Sequence, residues 1–304
     1  MKSVPWRPLI FFTAVAALFL CAAPCPADVL FVHNYKSTEY LMGSQDAELL
    51  AGYTAQAMFM DKKARYTGKM MEAFLGKDKE VRETTHFLLD KDQIREIVYY
   101  KGKVVVYPLE RLSDTSWIKG KERLDKDTAE MIRERYRTLP PKLSVKIHPK
   151  KETLGGYTCR RVDMDMRLET IDVKKNSSSV TLVKQTLWVS TKVPGYDEYN
   201  AFHRKLAKRL GIDALRLGNL SELLGYWDGS LDPIRDSLKG VKGYPVKSVI
   251  TVEGLYTAGI GTDSAKTNTM QLKEESVELR KVSTERLHKD RFTAPSEFGV
   301  TVVE

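Results

Sequence analysis

The first 27 residues set the conditions under which the rest of this chain has to fold. Lys2 and Arg7 form a short positive stretch. Residues 9–21 are an apolar run interrupted by Thr13, and Cys25-Pro26-Ala27 follows with small residues at the −3 and −1 positions before Asp28. This is the layout of a secretory signal peptide, and the run is short for a membrane span. Cleavage is expected at Ala27/Asp28, and the protein is expected to be periplasmic or secreted. An uncleaved anchor and a lipid-modified Cys21 or Cys25 are the alternatives. Against lipidation, Leu18-Phe19-Leu20 and Pro24 stand where such a signal wants small residues. Cys159 is then the one cysteine left. It has no partner for an internal disulfide, so the exported part must be held by its hydrophobic core.

The chain of 304 residues is long enough for one large domain or two small ones. Its formal charge is +9, of which Lys2 and Arg7 leave with the signal. The remaining excess is diffuse. It argues against nucleic acid as a partner and suits an anionic membrane or glycan surface.

Residues 53–109 read as a meander of strands. Met58-Phe59-Met60, Phe74-Leu75 and Phe87-Leu88-Leu89 are each followed by a turn signal, respectively Asp61-Lys62-Lys63, Gly76-Lys77-Asp78 and Asp90-Lys91-Asp92. Lys101-Gly102-Lys103 between residues 94–100 and 104–107 is a tight-hairpin signal. A helix is expected over 127–137, stopped by Pro140-Pro141. Strands resume at 143–147, 157–168 and 180–190, the last two joined by a loop at 176–179. A helical insert spans 196–238. In it Tyr196, Tyr199, Phe202, Leu206 and Leu210 recur at helical spacing, and Leu217, Leu220, Leu223, Leu224 and Trp227 form a second stripe. Strands close the chain at 244–252, 269–281 and 299–303. The order is that of an α+β fold with a mainly antiparallel sheet.

Three patterns carry a resemblance. They are Gly155-Gly156-Tyr157-Thr158-Cys159, then Thr186-Leu187-Trp188-Val189-Ser190 with Lys192-Val193-Pro194, then Gly243-Tyr244-Pro245-Val246 with Phe292-Thr293-Ala294-Pro295-Ser296-Glu297-Phe298 near the end. Together they resemble a family of secreted bacterial domains of unknown function with an architecture like the periplasmic outer-membrane lipoprotein carrier. The resemblance implies a curled, unclosed antiparallel β half-barrel with helices on its concave side, over residues 53–304. Residues 28–52 fall outside it as an N-terminal arm. No catalytic residues come with the family.

Enzyme motifs are not found in the residues themselves. There is no G-x-S-x-G, no Walker loop and no dinucleotide fingerprint. His33, His86, His148, His203 and His288 are dispersed and read as surface or capping residues, so no metal or cofactor is expected. Asp163 and Asp165 share a strand face, which alternating charges on a wet surface explain as well as a cation does. Cys159 reads as a structural small residue, with a reactive thiol as the alternative. Met58 with Met60, and Met164 with Met166, each share a strand face. Thioethers on flexible stems fill cores and also adapt to acyl chains. With Trp188, these four are the candidate ligand-lining residues. The basic side of the first helix, Arg204, Lys205, Lys208 and Arg209, is either a solvated face or a contact for anionic headgroups.

The expected function is therefore non-enzymatic binding of a hydrophobic ligand, a lipid or a lipidated protein, in a half-barrel cavity. The alternative is a structural or interaction module of the cell envelope with a filled core and no ligand. A continuous apolar cavity favours the first and a tightly filled interior the second.

Overall fold

The computed structural model describes residues 28–76, 80–112, 130–131, 134–210, 236–259 and 266–303. The signal segment, the second helical stripe and part of the helix expected over 127–137 lie outside the described residues.

Among the described residues, thirteen strands form one sheet. They are β1 (Val29–Glu39), β2 (Gly43–Tyr53), β3 (Ala57–Thr67), β4 (Glu80–Leu88), β5 (Gln93–Val98), β6 (Lys103–Pro108), β7 (Tyr136–Thr138), β8 (Lys142–Leu154), β9 (Tyr157–Asp172), β10 (Ser177–Ser190), β11 (Tyr244–Ala258), β12 (Lys266–Ser283) and β13 (Gly299–Val302). The sheet is accompanied by the helices α1 (Lys69–Leu75) and α2 (Tyr196–Leu210). Across the sheet the order is β13-β6-β5-β4-β3-β2-β1-β12-β11-β10-β9-β7, with β8 beside β7 on the same edge of β9. The sheet is curled and its two edges do not pair, so it is unclosed. It is mixed rather than wholly antiparallel, because β13 runs parallel to β6.

Turn chemistry fixes the hairpins. Gly155 and Gly156, at φ 53° and 83°, form the two-residue link between β8 and β9, a geometry that needs positive φ at both positions. Gly102 and Asn176 are also left-handed, and they close the β5–β6 and β9–β10 hairpins.

Four expectations are corrected. Residues 28–52 are no arm: β1 and β2 sit in the middle of the sheet, and β1 joins its two halves by pairing with β12. Asp61-Lys62-Lys63 is no turn, because β3 runs straight through it. Residues 69–75, read as part of a strand region, are α1. Tyr136 and Arg137, read as helix, belong to β7 on the edge of β9.

Asp61 shows why the turn reading failed. Its carboxylate is 3 % exposed. Arg82 on β4 donates to both its oxygens, at 2.9 and 2.8 Å, and the Thr84 hydroxyl adds a third bond at 3.1 Å. A buried acid is tolerated within a strand when a neighbouring strand neutralises it. Arg82→Ala strands that charge, and is expected to cost about 3 kcal/mol in urea unfolding. Replacing the pair together, as Asp61→Leu with Arg82→Met, is expected to cost clearly less.

Strand register arranges the apolar side chains in rows. Val29, Tyr53, Met58, Phe87, Ile94 and Tyr107 are successive cross-strand partners from β1 to β6. On that face α2 lays Tyr199, Phe202 and Leu206 against Val29, Phe31, Tyr53 and Phe87. The opposite face of β3–β6 is covered by the chain's own end. Phe292 meets the Phe59 ring at 5.4 Å, and Ala294 and Phe298 pack on Ile97, Val104 and Val106.

The motifs that carried the resemblance converge at one place. Cys159, Val193, Tyr244 and Val246 belong to the cluster under α2, with Tyr157 and Trp188 at its margin. Two glycines allow the close approach. A β-carbon on Gly195 would lie 2.2 Å from Val29 Cγ2, and one on Gly243 would lie 2.8 Å from the Ser190 backbone nitrogen. Both have positive φ.

Candidate functional site

The four methionines share one face of the sheet. Register carries that face from Met58 and Met60 on β3 to Ala47 and Leu49 on β2, then to His33 and Tyr35 on β1 and to Val277 on β12. It continues through Ser248 and Ile250 on β11 and Leu187 and Gln185 on β10 to Val162, Met164 and Met166 on β9. The pairs are nonetheless apart. Six strand spacings separate β3 from β9, about 29 Å measured along the sheet. Met58 and Met60 belong to the cluster capped by α2. Met164 and Met166 belong to a second cluster with Val162, Val183, Val189 and Ile250.

The two clusters differ in how they are filled. Under α2 the packing is ring on ring. Phe31 stacks on Tyr244 at 3.9 Å, Tyr53 meets Phe202 at 5.7 Å, and Tyr199 meets Tyr244 at 4.9 Å. The second cluster has Leu238 and Val241 against it, and it retains half-buried Leu143, Val145, Ile147, Leu187 and Val252. A polar group separates the two. The Tyr35 hydroxyl donates to Glu275 Oε2 at 2.9 Å, and Lys273 pairs with the same carboxylate at 2.9 Å. Burial, followed by the Glu275 charge, drives the Tyr35 phenol far above its usual range, so it stays a donor.

A cleft of about 260 Å³ lies over β8, β9 and β10, lined by Lys142, Ser144, Asp165, Arg167, Leu182 and Lys184. Leu143, Met166 and Val183 line it as well, alternating along their strands with those six. Its size is just below the usual range for ligand pockets.

Trp188 does not join Met164 and Met166, and packs at the margin of the cluster that holds Met58. It lies on the other side of β10 from Leu187, between Arg161 at 5.8 Å and Lys247 at 6.0 Å, and its indole N–H donates to Glu152 at 2.8 Å. Cys159 is buried in the first cluster, and burial raises its thiol pKa. Asp163 is engaged by Arg161 at 2.8 Å, His148 at 2.7 Å and the Thr186 hydroxyl at 3.1 Å, so it holds no cation site with Asp165. The basic side of α2 is partly structural: Lys205 donates to the Ala55 carbonyl and Arg209 to the Leu89 carbonyl, each at 2.6 Å.

The histidines overturn the surface reading. His33, His86 and His203 are 5 %, 1 % and 2 % exposed. His33 Nδ1 lies 3.2 Å from the Leu49 carbonyl, which can only accept, so Nδ1 carries the hydrogen and Nε2 accepts from the Tyr244 hydroxyl at 2.7 Å. Burial lowers the His33 pKa to about 4. His86 falls to about 4 as well, through burial first and the Arg95 charge second. A sequence signal existed for His33, since it continues the alternation of Val29 and Phe31. The pair it makes with Tyr244 is sealed beneath α2, where neither residue is open to a substrate.

Solved structures similar to this chain include two with the following descriptions. One is a domain assigned to outer-membrane lipoprotein sorting from Vibrio parahaemolyticus, with 11 % identity and a TM-score of 0.27, covering 91 % of this chain and 94 % of that one. The other is a DUF1329 family protein from Desulfovibrio piger, with 8 % identity and a TM-score of 0.18, covering 93 % and 95 %. They are of the kind that the sequence motifs resemble. No family model and no curated protein matches the chain.

Proposed function

We propose that this protein is a non-enzymatic component of the cell envelope that binds a hydrophobic ligand, a lipid or the acyl part of a lipidated protein, on the face carrying Met164 and Met166. One observation supports the reading above the others: α2 packs on the first cluster and not on the second, which holds Met164 and Met166. The β8–β11 half keeps two thioethers and five half-buried aliphatic side chains. Thioethers adapt to irregular apolar shapes, and the half-buried residues are where such a ligand would make contact. In this reading the helices lie on the inner side of the curl. The ring packing under α2 favours the alternative, an interaction module with a filled core, for that half of the sheet.

Uptake of a fluorescent fatty acid distinguishes the two. The wild-type protein is expected to bind it, and Val145→Trp with Leu187→Trp, which fill the space beside Met164, to lower affinity about tenfold with unchanged circular dichroism. Failure of the wild type to bind any of several lipid classes would remove the carrier reading and leave the filled module. Native mass spectrometry of protein taken from its own envelope would identify the ligand.

A further inference from the structure

Many of the large apolar side chains that the fold leaves exposed are gathered at one end, while Val300 and Val302 are exposed on the edge strand β13. The turns of the β1–β2, β3–β4, β5–β6, β9–β10 and β11–β12 pairs all lie at the end of the sheet away from α2, because these are antiparallel neighbours in one sheet. That end exposes Tyr40, Leu41 and Met42 in the β1–β2 turn, Met70 and Phe74 on α1, and Tyr100 in the β5–β6 turn. The first five form one patch. A β-carbon on Gly43 would lie 2.9 Å from Gly68 Cα, so the β1–β2 turn abuts the start of α1, and Met70 and Phe74 are one helical turn apart on it. Leu41 is 69 % exposed and Phe74 75 %. Exposure of this kind is uncommon unless the surface meets a partner.

The same turns are cationic. Lys101, Lys103, Lys174, Lys175 and Lys266 are exposed, and none forms an ion pair with a described residue. Among the nearby acids, Asp172 is held by Arg135 at 2.8 Å and Glu39 faces Lys273 at 3.9 Å, while Glu72 and Glu80 are exposed.

We propose that this end docks on an anionic lipid bilayer, with Tyr40, Leu41, Met42, Met70 and Phe74 entering the headgroup region and the lysines of the neighbouring turns meeting lipid phosphates. Apolar and aromatic tips flanked by long cationic side chains match the layered polarity of a membrane interface. The contacts are spread along a row of turns, which suits an extended flat partner better than a compact one. The excess of exposed lysines selects negative surface charge. The assignment is independent of what the Met164 face holds.

Vesicle flotation of the full chain tests it. The protein is expected to float with phosphatidylcholine vesicles containing a third phosphatidylglycerol, and about tenfold less with phosphatidylcholine alone or in high salt. Leu41→Asp with Phe74→Asp is expected to lower binding about tenfold while circular dichroism and fatty-acid uptake stay as in the wild type. Lys101→Glu with Lys174→Glu and Lys175→Glu should erase the preference for anionic vesicles. In a Leu41→Trp variant, indole emission should shift to the blue on anionic vesicles. Absence of wild-type flotation, or undiminished flotation of the folded Leu41→Asp/Phe74→Asp variant, overturns the proposal. So does a wild-type dimer that this variant dissolves without any vesicle binding, since it assigns the patch to a second copy of the chain.

Discussion

Phe202→Ala is expected to destabilise the protein by about 4 kcal/mol, close to the top of what one buried side chain supports. The ring is fully buried. It stands on the α2 face with Tyr199 and Leu206, and it meets Tyr53 at 5.7 Å and His203 at 5.6 Å. Deleting it removes buried aromatic area and opens a cavity between α2 and the row that runs from Val29 to Ile94. Rigid strands on one side and an anchored helix on the other leave little room for collapse, because Lys205 and Arg209 fix α2 to the Ala55 and Leu89 carbonyls. Urea unfolding at neutral pH reads the loss. Arg204→Ala on the exposed side of the same helix is the control, expected within about 0.5 kcal/mol of wild type. A Phe202→Ala protein of wild-type stability would show that α2 does not hold this face.

Stability is expected to fall by several kcal/mol between pH 6.5 and pH 4, a loss that begins above the range in which carboxylates titrate. His33 and His86 are held neutral in the fold, with pKa values lowered from 6.5 to about 4. The sign follows from proton binding. Below pH 6.5 the unfolded chain takes up protons on both rings while the folded protein does not. The contribution of each ring is therefore complete above pH 6.5 and lost as pH falls toward 4, amounting to about 3 kcal/mol per histidine. Asp163 and Asp172 work in a lower window. Their lowered pKa values add stability that departs only below the ordinary aspartate value of 3.8. Urea midpoints at pH 7.5, 6, 5 and 4 check the prediction, and His33→Gln should remove about half of the loss above pH 4. A midpoint that does not move between pH 7 and pH 4.5 would contradict the burial of both rings.

These two predictions rest on contacts of different legibility. Phe202 was readable from the chain, since Tyr196, Tyr199, Phe202, Leu206 and Leu210 recur at the spacing of one helix face, and that face is the one buried. The neutral state of His33 was not. Its hydroxyl partner, Tyr244, is 211 residues away.

Along the chain, what could be determined was what neighbouring residues decide. Glycine and asparagine with positive φ fixed the hairpins at Gly102, Gly155-Gly156 and Asn176. Alternation of side chains placed Met58 with Met60 and Met164 with Met166 on common strand faces. Tertiary structure decided everything that depended on which strand lies beside which. Pairing of β1 with β12 turned an expected arm into the middle of the sheet. Arg82, 21 residues from Asp61, allowed a charged run to continue a strand instead of ending it. The same pairing set both methionine pairs on one face, yet in separate clusters, and put Trp188 on the other side of β10. The physical reason is that backbone propensity and periodicity act over a few residues. Burial and charge neutralisation are settled by neighbours in space, which a single sequence does not specify.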